Sequence, residues 1–417
     1  KARLHELLIA KLDLSSLEKL PREQLAGQLQ ETVMGLMAEA GDLPLNRGER
    51  ALLVSEIVDE VVGLGPLEAL LRDNTISDIL VNTASRVYIE RGGRLERTAI
   101  RFRDNEHLQQ IINRIVSRVG RRVDDSSPMV DARLPDGSRV NAIIPPLALD
   151  GPLLSIRRFG GQPLRFADLV RTGSVTPHMV GLLGACVRAK VNILISGGTG
   201  SGKTTLLNAL SSFIPPHERV VTIEDAAELQ LQQEHVARLE TRPPNVEGRG
   251  EVVARDLVRN ALRMRPDRII VGEVRAAEVM DMLQAMNTGH EGSMTTIHAN
   301  TPRDALTRIE AMVGMAGGAM SESLVRQTIS RSLEIIVQLS RGNDGKRRMA
   351  SISEITGMEG NVITLHEVFR FEQSGVGEDG QILGEFRATG VRPRLMERIA
   401  RFGIDPMAIA REYGVAS

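Results

Sequence analysis

Val191-Asn192-Ile193-Leu194-Ile195-Ser196-Gly197-Gly198-Thr199-Gly200-Ser201-Gly202-Lys203-Thr204-Thr205 is the stretch that decides the fold. Its first six residues are short, largely apolar and partly β-branched, which predicts a buried strand. Gly197 to Thr204 match G-x-x-x-x-G-K-[ST], and Thr205, Leu206, Leu207 and Leu210 then carry a helical pattern. The physics of phosphate binding needs this order. Glycines let backbone N–H groups curl around a phosphate. The N-terminus of the helix adds donors and a favourable dipole. Lys203 is of the right kind to reach β- and γ-phosphates, and the Thr204 hydroxyl to bind Mg2+. Gly197, Gly198, Thr199, Gly200, Ser201, Gly202, Lys203, Thr204 and Thr205 are therefore the candidate ATP-binding residues.

Moving outward, three more apolar strands end in chemistry. Arg219 to Ile223 leads into Glu224-Asp225, and carboxylates at strand ends lie where open α/β sheets bind ligands. Glu224 is thus a candidate to orient or deprotonate an attacking water. Arg268 to Val271 leads into Gly272-Glu273, where Gly272 stands in place of the Asp that commonly binds Mg2+. Glu273 is then the carboxylate expected to act on the metal, through water. Ser293 to Ile297 leads into His298, with His290 just before the strand. A histidine at a strand end can sense a γ-phosphate, although a lone histidine more often makes a structural hydrogen bond. Thr301-Pro302-Arg303-Asp304 reads as a capped helix start.

Phosphoryl transfer also needs positive charge on the γ-phosphate. Arg133, Arg139, Arg157 and Arg158 gather near a domain junction, and Arg263, Arg265 and Arg275 bracket the third strand.

The organisation expected is a helical region over 1–62, a small α+β domain over 63–158, a linker over 159–176 and an α/β domain over 177–417. Leu4, Leu7, Leu8 and Leu12, then Leu25, Leu29, Val33 and Leu36, recur at helical spacing. Ile79 to Asn82, Val87 to Glu90 and Val140 to Ile144 read as strands, with a hairpin-like turn at Leu134 to Ser138. Apolar strands alternating with helical segments after 177 predict a mainly parallel sheet covered on both faces. Past Lys346 the pattern predicts a β-meander with turns at Gly360 and Asp379-Gly380, then helices at Leu395–Arg401 and Met407–Tyr413.

Composition narrows the function. Hydrophobic residues make up 42% and charged residues 25% of 417, which excludes wholesale disorder. Net charge is −1, aromatics are 2% and Trp is absent. A nucleic-acid translocase would ordinarily show a basic surface or aromatic stacking platforms, so that alternative loses ground. A single cysteine, Cys186, excludes a disulfide framework or a four-cysteine zinc site within one chain, and its apolar neighbours suggest a buried structural thiol. No run of about 18 apolar residues is present, so no spanning helix is expected. The opening Lys1 to His5 lacks an apolar core and a Met, so the expectation is a chain trimmed at its front and without a secretory leader. A non-hydrolysing ATP-binding scaffold is disfavoured by the loop together with Glu224. An ABC-type transporter subunit is disfavoured because no LSGGQ-like stretch occurs.

Together these segments resemble the ATPase superfamily of type II and type IV secretion systems and type IV pili. Its hallmarks are a Walker A loop (here Gly197–Thr204), an Asp box (Thr222-Ile223-Glu224-Asp225), a Walker B element with Gly-Glu (Ile270-Val271-Gly272-Glu273) and a His box (Gly289 to Gly292 through Thr296 to Asn300). Closer likeness is to the CpaF-type ATPases of Tad (Flp) pilus assembly, through Leu239 to Asn245, Arg255 to Asp267, Gln284 to Gly289, Gly65-Pro66-Leu67, Asp136 to Val140 and Ser155 to Phe159. The resemblance implies an α/β chain with a RecA-like P-loop ATPase domain, preceded by a small α+β domain and an N-terminal helical bundle. It implies a homohexameric ring with ATP between the N-terminal and RecA-like domains, Mg2+ on Thr204 and Glu273, and catalytic roles for Glu224, Glu273, His298, His290 and one or more of Arg133, Arg139, Arg157 and Arg158. It further implies a cytoplasmic motor at the inner-membrane face, working on pilus platform proteins, with filament assembly as its task and retraction as a second one to be considered.

Overall fold

The computed structural model describes residues 46–159, 163–244, 249–316 and 320–414, with isolated positions before them. The two helices expected before Gly41 and positions 160–162 of the expected linker lie outside these stretches. The chain divides into two compact units, one ending at Gly161 and one beginning at Gln162.

In the first unit, α1 (Arg47–Val61) starts with a capping box. The Asn46 side chain accepts from Glu49 N–H at 2.9 Å, and the Glu49 carboxylate accepts from Asn46 N–H at 2.8 Å. A short 3-10 turn (Gly65–Leu67) and α2 (Glu68–Arg72) lead to β1 (Ile76–Thr83), β2 (Arg86–Arg91), β3 (Arg94–Arg97), α3 (Asn105–Ser117), β4 (Met129–Arg133), β5 (Arg139–Ile143) and β6 (Leu153–Arg157). The six strands form one antiparallel sheet in the order β3-β2-β1-β6-β5-β4. Strand alternation sends Ile79, Val81, Val140, Leu154 and Ile156 to the core, where α3 contributes Leu108, Ile111, Ile112 and Ile115. Each such burial removes a side chain from water at a gain of roughly 1.5–3 kcal/mol.

The second unit begins with α4 (Phe166–Arg171), inside the stretch expected as linker. Phe166 is buried against Phe213 and Tyr413, so this segment is built into the domain core. Its single turn and a half carries too few residues to show a period in the sequence. Then come α5 (Pro177–Arg188), β7 (Ile193–Gly197), α6 (Lys203–Ser211), β8 (Val220–Glu224), β9 (Val236–Glu240), α7 (Ala254–Ala261), β10 (Arg268–Val271), α8 (Glu278–Asn287), β11 (Met294–Ile297), α9 (Pro302–Met315) and α10 (Glu322–Ser332). The chain closes with β12 (Ile335–Arg341), β13 (Arg347–Glu359), β14 (Val362–Val376), β15 (Ile382–Ala388), α11 (Leu395–Arg401) and α12 (Pro406–Glu412).

All nine strands form one sheet, ordered β15-β14-β13-β12-β7-β11-β10-β8-β9. The six from β12 to β9 run parallel, and the expected meander β13–β15 continues the same sheet in antiparallel sense. Alternation along the buried strands feeds two cores. Ile193, Ile195, Ile335 and Val337 join α5 and α6 in one, while Leu194, Val221, Ile269 and Ile336 join α7 to α10 in the other.

The start edge of the parallel strands is pinned by buried polar groups. The Asn192 side chain accepts from Gly292 and Ser293 N–H at 2.8 and 3.1 Å and donates to the carbonyls of Met286 and Ser332 at 3.2 and 2.8 Å. Arg268, fully buried, pairs with Glu218 and donates to the Gly292 carbonyl at 3.2 Å.

Candidate nucleotide site

The phosphate loop leaves the central strand β7 at Gly197, where no larger residue fits. A Cβ there would lie 2.4 Å from the Ser201 hydroxyl and 2.9 Å from the Leu339 carbonyl of β12. Gly200 and Gly202 take φ of +68° and +97°, the left-handed region that only glycine adopts at little cost. Lys203 opens α6, and its ammonium donates to the carbonyls of Gly197 and Gly198 at 2.9 and 3.0 Å. Burial, with Arg275 and Arg308 nearby, lowers the Lys203 pKa, and Glu273 opposes that shift. The ammonium thus sits inside the loop, in the place where phosphate oxygens would accept from it.

Because β7, β8, β10 and β11 are parallel, their ends bring Glu224, Glu273 and His298 to the edge that bears this loop. Glu224 ends β8. One carboxylate oxygen accepts from the N–H groups of Glu228 and Leu229 at 2.7 and 2.8 Å, while the other is buried without a hydrogen-bond partner among the described residues. Burial raises the Glu224 pKa above the usual carboxylate value, opposed by those two N–H bonds. A buried carboxylate with one free oxygen and a raised pKa has the makings of a general base.

Gly272 explains itself here. A Cβ on Gly272 would lie 3.0 Å from Glu224 Cγ, so any larger residue at 272 presses on the Glu224 side chain. The Gly272 N–H donates to Ile223 at 2.8 Å, and its carbonyl accepts from the Thr296 hydroxyl at 2.7 Å, which locks β8, β10 and β11 at one level. We expect Gly272→Ala to displace Glu224 and to lower ATP turnover at least about tenfold while leaving nucleotide affinity near wild type. Parallel turnover and binding measurements check this, and normal turnover would mean that the Glu224 position is immaterial.

Glu273 is engaged by Arg275, whose Nε and Nη2 donate to it at 2.8 and 2.5 Å, and Arg275 Nη1 also lies 3.3 Å from Asp225. Buried Glu278 holds the turn by accepting from the N–H groups of Arg275 and Ala276 at 2.6 and 2.9 Å. The segment after His298 is fixed by Gln338, which donates to the Ala299 and Asn300 carbonyls at 3.2 and 3.0 Å.

Not every expected residue reaches this edge. His290 precedes β11, at the start edge of the parallel strands, with the whole strand between it and His298. It is not brought to the loop of its own chain. Arg263 and Arg265 likewise precede β10 at that far edge, which leaves Arg275 alone of the three beside the site.

In the first unit, strand register puts Arg133 opposite Arg139, Arg139 opposite Arg157, and Arg157 opposite Asp78. The four form one row on the face away from α3, closed at one end by Arg157 Nε donating to Asp78 at 3.2 Å. Arg158 points elsewhere: it donates to the carbonyls of Asp73 and Ile76 and, at 3.1 Å, to the Asn74 side chain. It braces the turn before β1.

With this geometry in view, the sequence pattern of the type II/IV secretion system protein family matches residues 60–369. The chain belongs to that family. Among its relatives, a Mycobacterium tuberculosis protein named for conjugal transfer is 41% identical over 309 residues, covering 73% of this chain and 87% of the relative. Conjugal transfer protein TrbB of Rhizobium radiobacter is 34% identical over 295 residues, covering 70% and 87%. The type IV secretion system protein VirB11 of Bartonella quintana is 30% identical over 329 residues, covering 69% and 91%. Among solved structures, the pilus retraction motor PilT with bound ADP superposes with a TM-score of 0.50 at 20% identity, covering 83% of this chain and 87% of that one, which shows a shared fold. No helix among the described residues is long and apolar enough to cross a membrane.

Two arginines beside the glycine-rich loop were missed in the sequence. Arg347, at the start of β13, donates from Nε to the Gly200 carbonyl at 2.8 Å, and Arg341 lies opposite it in register. Their closeness to the loop comes from β12 pairing with β7, which nothing in a linear reading reveals.

Proposed function

We propose that this chain is an ATP-hydrolysing, Mg2+-dependent motor that works as a homohexamer at the inner-membrane face, driving Tad-type pilus assembly through platform proteins. One observation carries the hydrolytic part: a buried carboxylate, Glu224, with a free oxygen and a raised pKa, held at the same sheet edge as the phosphate loop. Gly197 to Thr205 cradle the phosphates, and Lys203 exchanges its loop carbonyls for phosphate oxygens. The donor set suits Mg2+, with a hydroxyl from Thr204 and a carboxylate from Glu273, both hard oxygen ligands. The metal would neutralise phosphate charge, Glu224 takes the proton of the attacking water, and His298 senses the γ-phosphate. One or more of Arg133, Arg139, Arg157 and Arg158 would supply positive charge to the γ-phosphate. The assignment to Tad pili rests on the resemblance of Leu239 to Asn245 and Arg255 to Asp267.

A second reading, a motor of conjugal transfer, is favoured by the names of the relatives at 41% and 34% identity. Steady-state phosphate release by the purified chain with MgATP tests the shared core of both readings, and no release above a protein-free blank would remove it. Repeating the assay with single- and double-stranded DNA separates direct DNA pumping, which would show stimulation that declines with salt.

A further inference from the structure

The β12–β13 hairpin turns beside the phosphate loop. Arg341 ends β12 and Arg347 begins β13, and the two are directly paired. Arg347 Nε donates to the Gly200 carbonyl at 2.8 Å. Arg341 Nη1 lies 3.2 Å from where a Cβ on Gly200 would stand, so a side chain at Gly200 would press on it. Two guanidinium groups set opposite each other therefore flank the outer side of the loop.

A peptide group is planar and trans, so its C=O and N–H point to opposite sides. The Gly200 carbonyl and the Ser201 N–H belong to one peptide. With Arg347 holding the carbonyl outward, the Ser201 N–H is turned inward, where it donates to the Gly198 carbonyl at 3.3 Å. Lys203 donates to that same carbonyl. The inward face of the loop thus gathers the donors that a phosphate takes over.

The hairpin has the rigidity to impose this orientation. Asp344 in its turn is paired with Arg348 at 2.6 Å, both buried, and accepts from the N–H groups of Lys346 and Ile382 at 3.1 Å each. Arg348 also sits over the Phe371 ring at 5.3 Å. Arg347 is therefore anchored next to a buried ion pair that ties the hairpin to β14 and β15.

We infer that Arg347 is a positioning residue for nucleotide binding: it fixes the Gly200–Ser201 peptide with its N–H directed at the phosphates, and Arg341 adds positive charge on the same side. This rests on the nucleotide-binding reading of the loop. The residue acts on an N–H of the loop and not on a reacting atom, so ADP and ATP should be affected alike.

The test uses the full chain and two probes, a fluorescent ADP analogue and a non-hydrolysable ATP analogue, with Arg347→Ala, Arg347→Lys and Lys203→Ala. Arg347→Ala is expected to weaken both probes about threefold to tenfold. In turnover assays the loss should fall on KM more than on kcat. Arg347→Lys should recover part of the affinity, because an ammonium still donates to the Gly200 carbonyl. Melting of the nucleotide-free protein should be unchanged, with a smaller upward shift on adding ADP. Wild-type affinity in Arg347→Ala, with affinity lost in Lys203→Ala, overturns the inference alone. So does weakened binding that Arg347→Lys fails to recover and that tracks a lowered nucleotide-free melting temperature. Wild-type affinity in Lys203→Ala removes the loop reading itself.

Discussion

Glu224→Gln is expected to bind ATP with near wild-type affinity and to hydrolyse it at least about a hundredfold more slowly. The substitution keeps the shape and one acceptor oxygen but removes the ability to take a proton. The two N–H groups of Glu228 and Leu229 that hold the carboxylate would still find an amide oxygen, so the β8 end should not move. The pH dependence supplies a second signature. Burial raises the Glu224 pKa, so the acid limb of the wild-type rate profile should lie at higher pH than an ordinary carboxylate would give. Stability runs the other way. A folded-state pKa above the unfolded one means that native stability falls as pH rises through the folded value. At neutral pH Glu224→Gln should therefore melt no lower than wild type, and somewhat higher if the ionised form is strained. Single-turnover hydrolysis, binding and melting across pH check all three, and unchanged turnover would sink the assignment.

Lys203→Ala is expected to lose nucleotide binding by roughly 30-fold or more, the equivalent of about 2 kcal/mol or above for truncating one partner of a desolvated charge contact. Its ammonium already sits in the cradle, on the Gly197 and Gly198 carbonyls. Removing it leaves those carbonyls to water, so the nucleotide-free protein should fold as before. The measurement is the rise in melting temperature on adding ADP, which scales with ligand concentration over Kd and should be largely lost. A full rise in the variant would show that the loop holds no nucleotide.

Much of this site was legible in the linear chain, for identifiable reasons. A glycine loop between an apolar strand and a helix has few other uses, and parallel strands must end where their acidic residues stand. That logic placed Glu224, Glu273 and His298 at the loop edge. It did not carry over to His290, which stands before β11 and so at the opposite end of the parallel strands from the loop. Arg157, the last residue of β6, joins the row with Arg139, while Arg158, just past the strand, turns to the Asp73 and Ile76 carbonyls, a difference that the adjacent pair does not show in the linear chain. The linker reading of 159–176 missed α4 because a six-residue helix anchored by one Phe leaves no periodic signal. Arg341 and Arg347 stayed hidden because strand pairing, across 147 residues of sequence, brings Arg347 to Gly200.

The stacking of Glu224 over Gly272 has an evolutionary side. The two positions lie on different strands, 48 residues apart in the sequence, yet they share one volume at 3.0 Å. An Asp at 272 would press on the Glu224 side chain, which would have to give way to admit it. A change at either position is therefore felt at the other. Glycine at 272 and glutamate at 224 should therefore be inherited together or exchanged together, as one unit of descent.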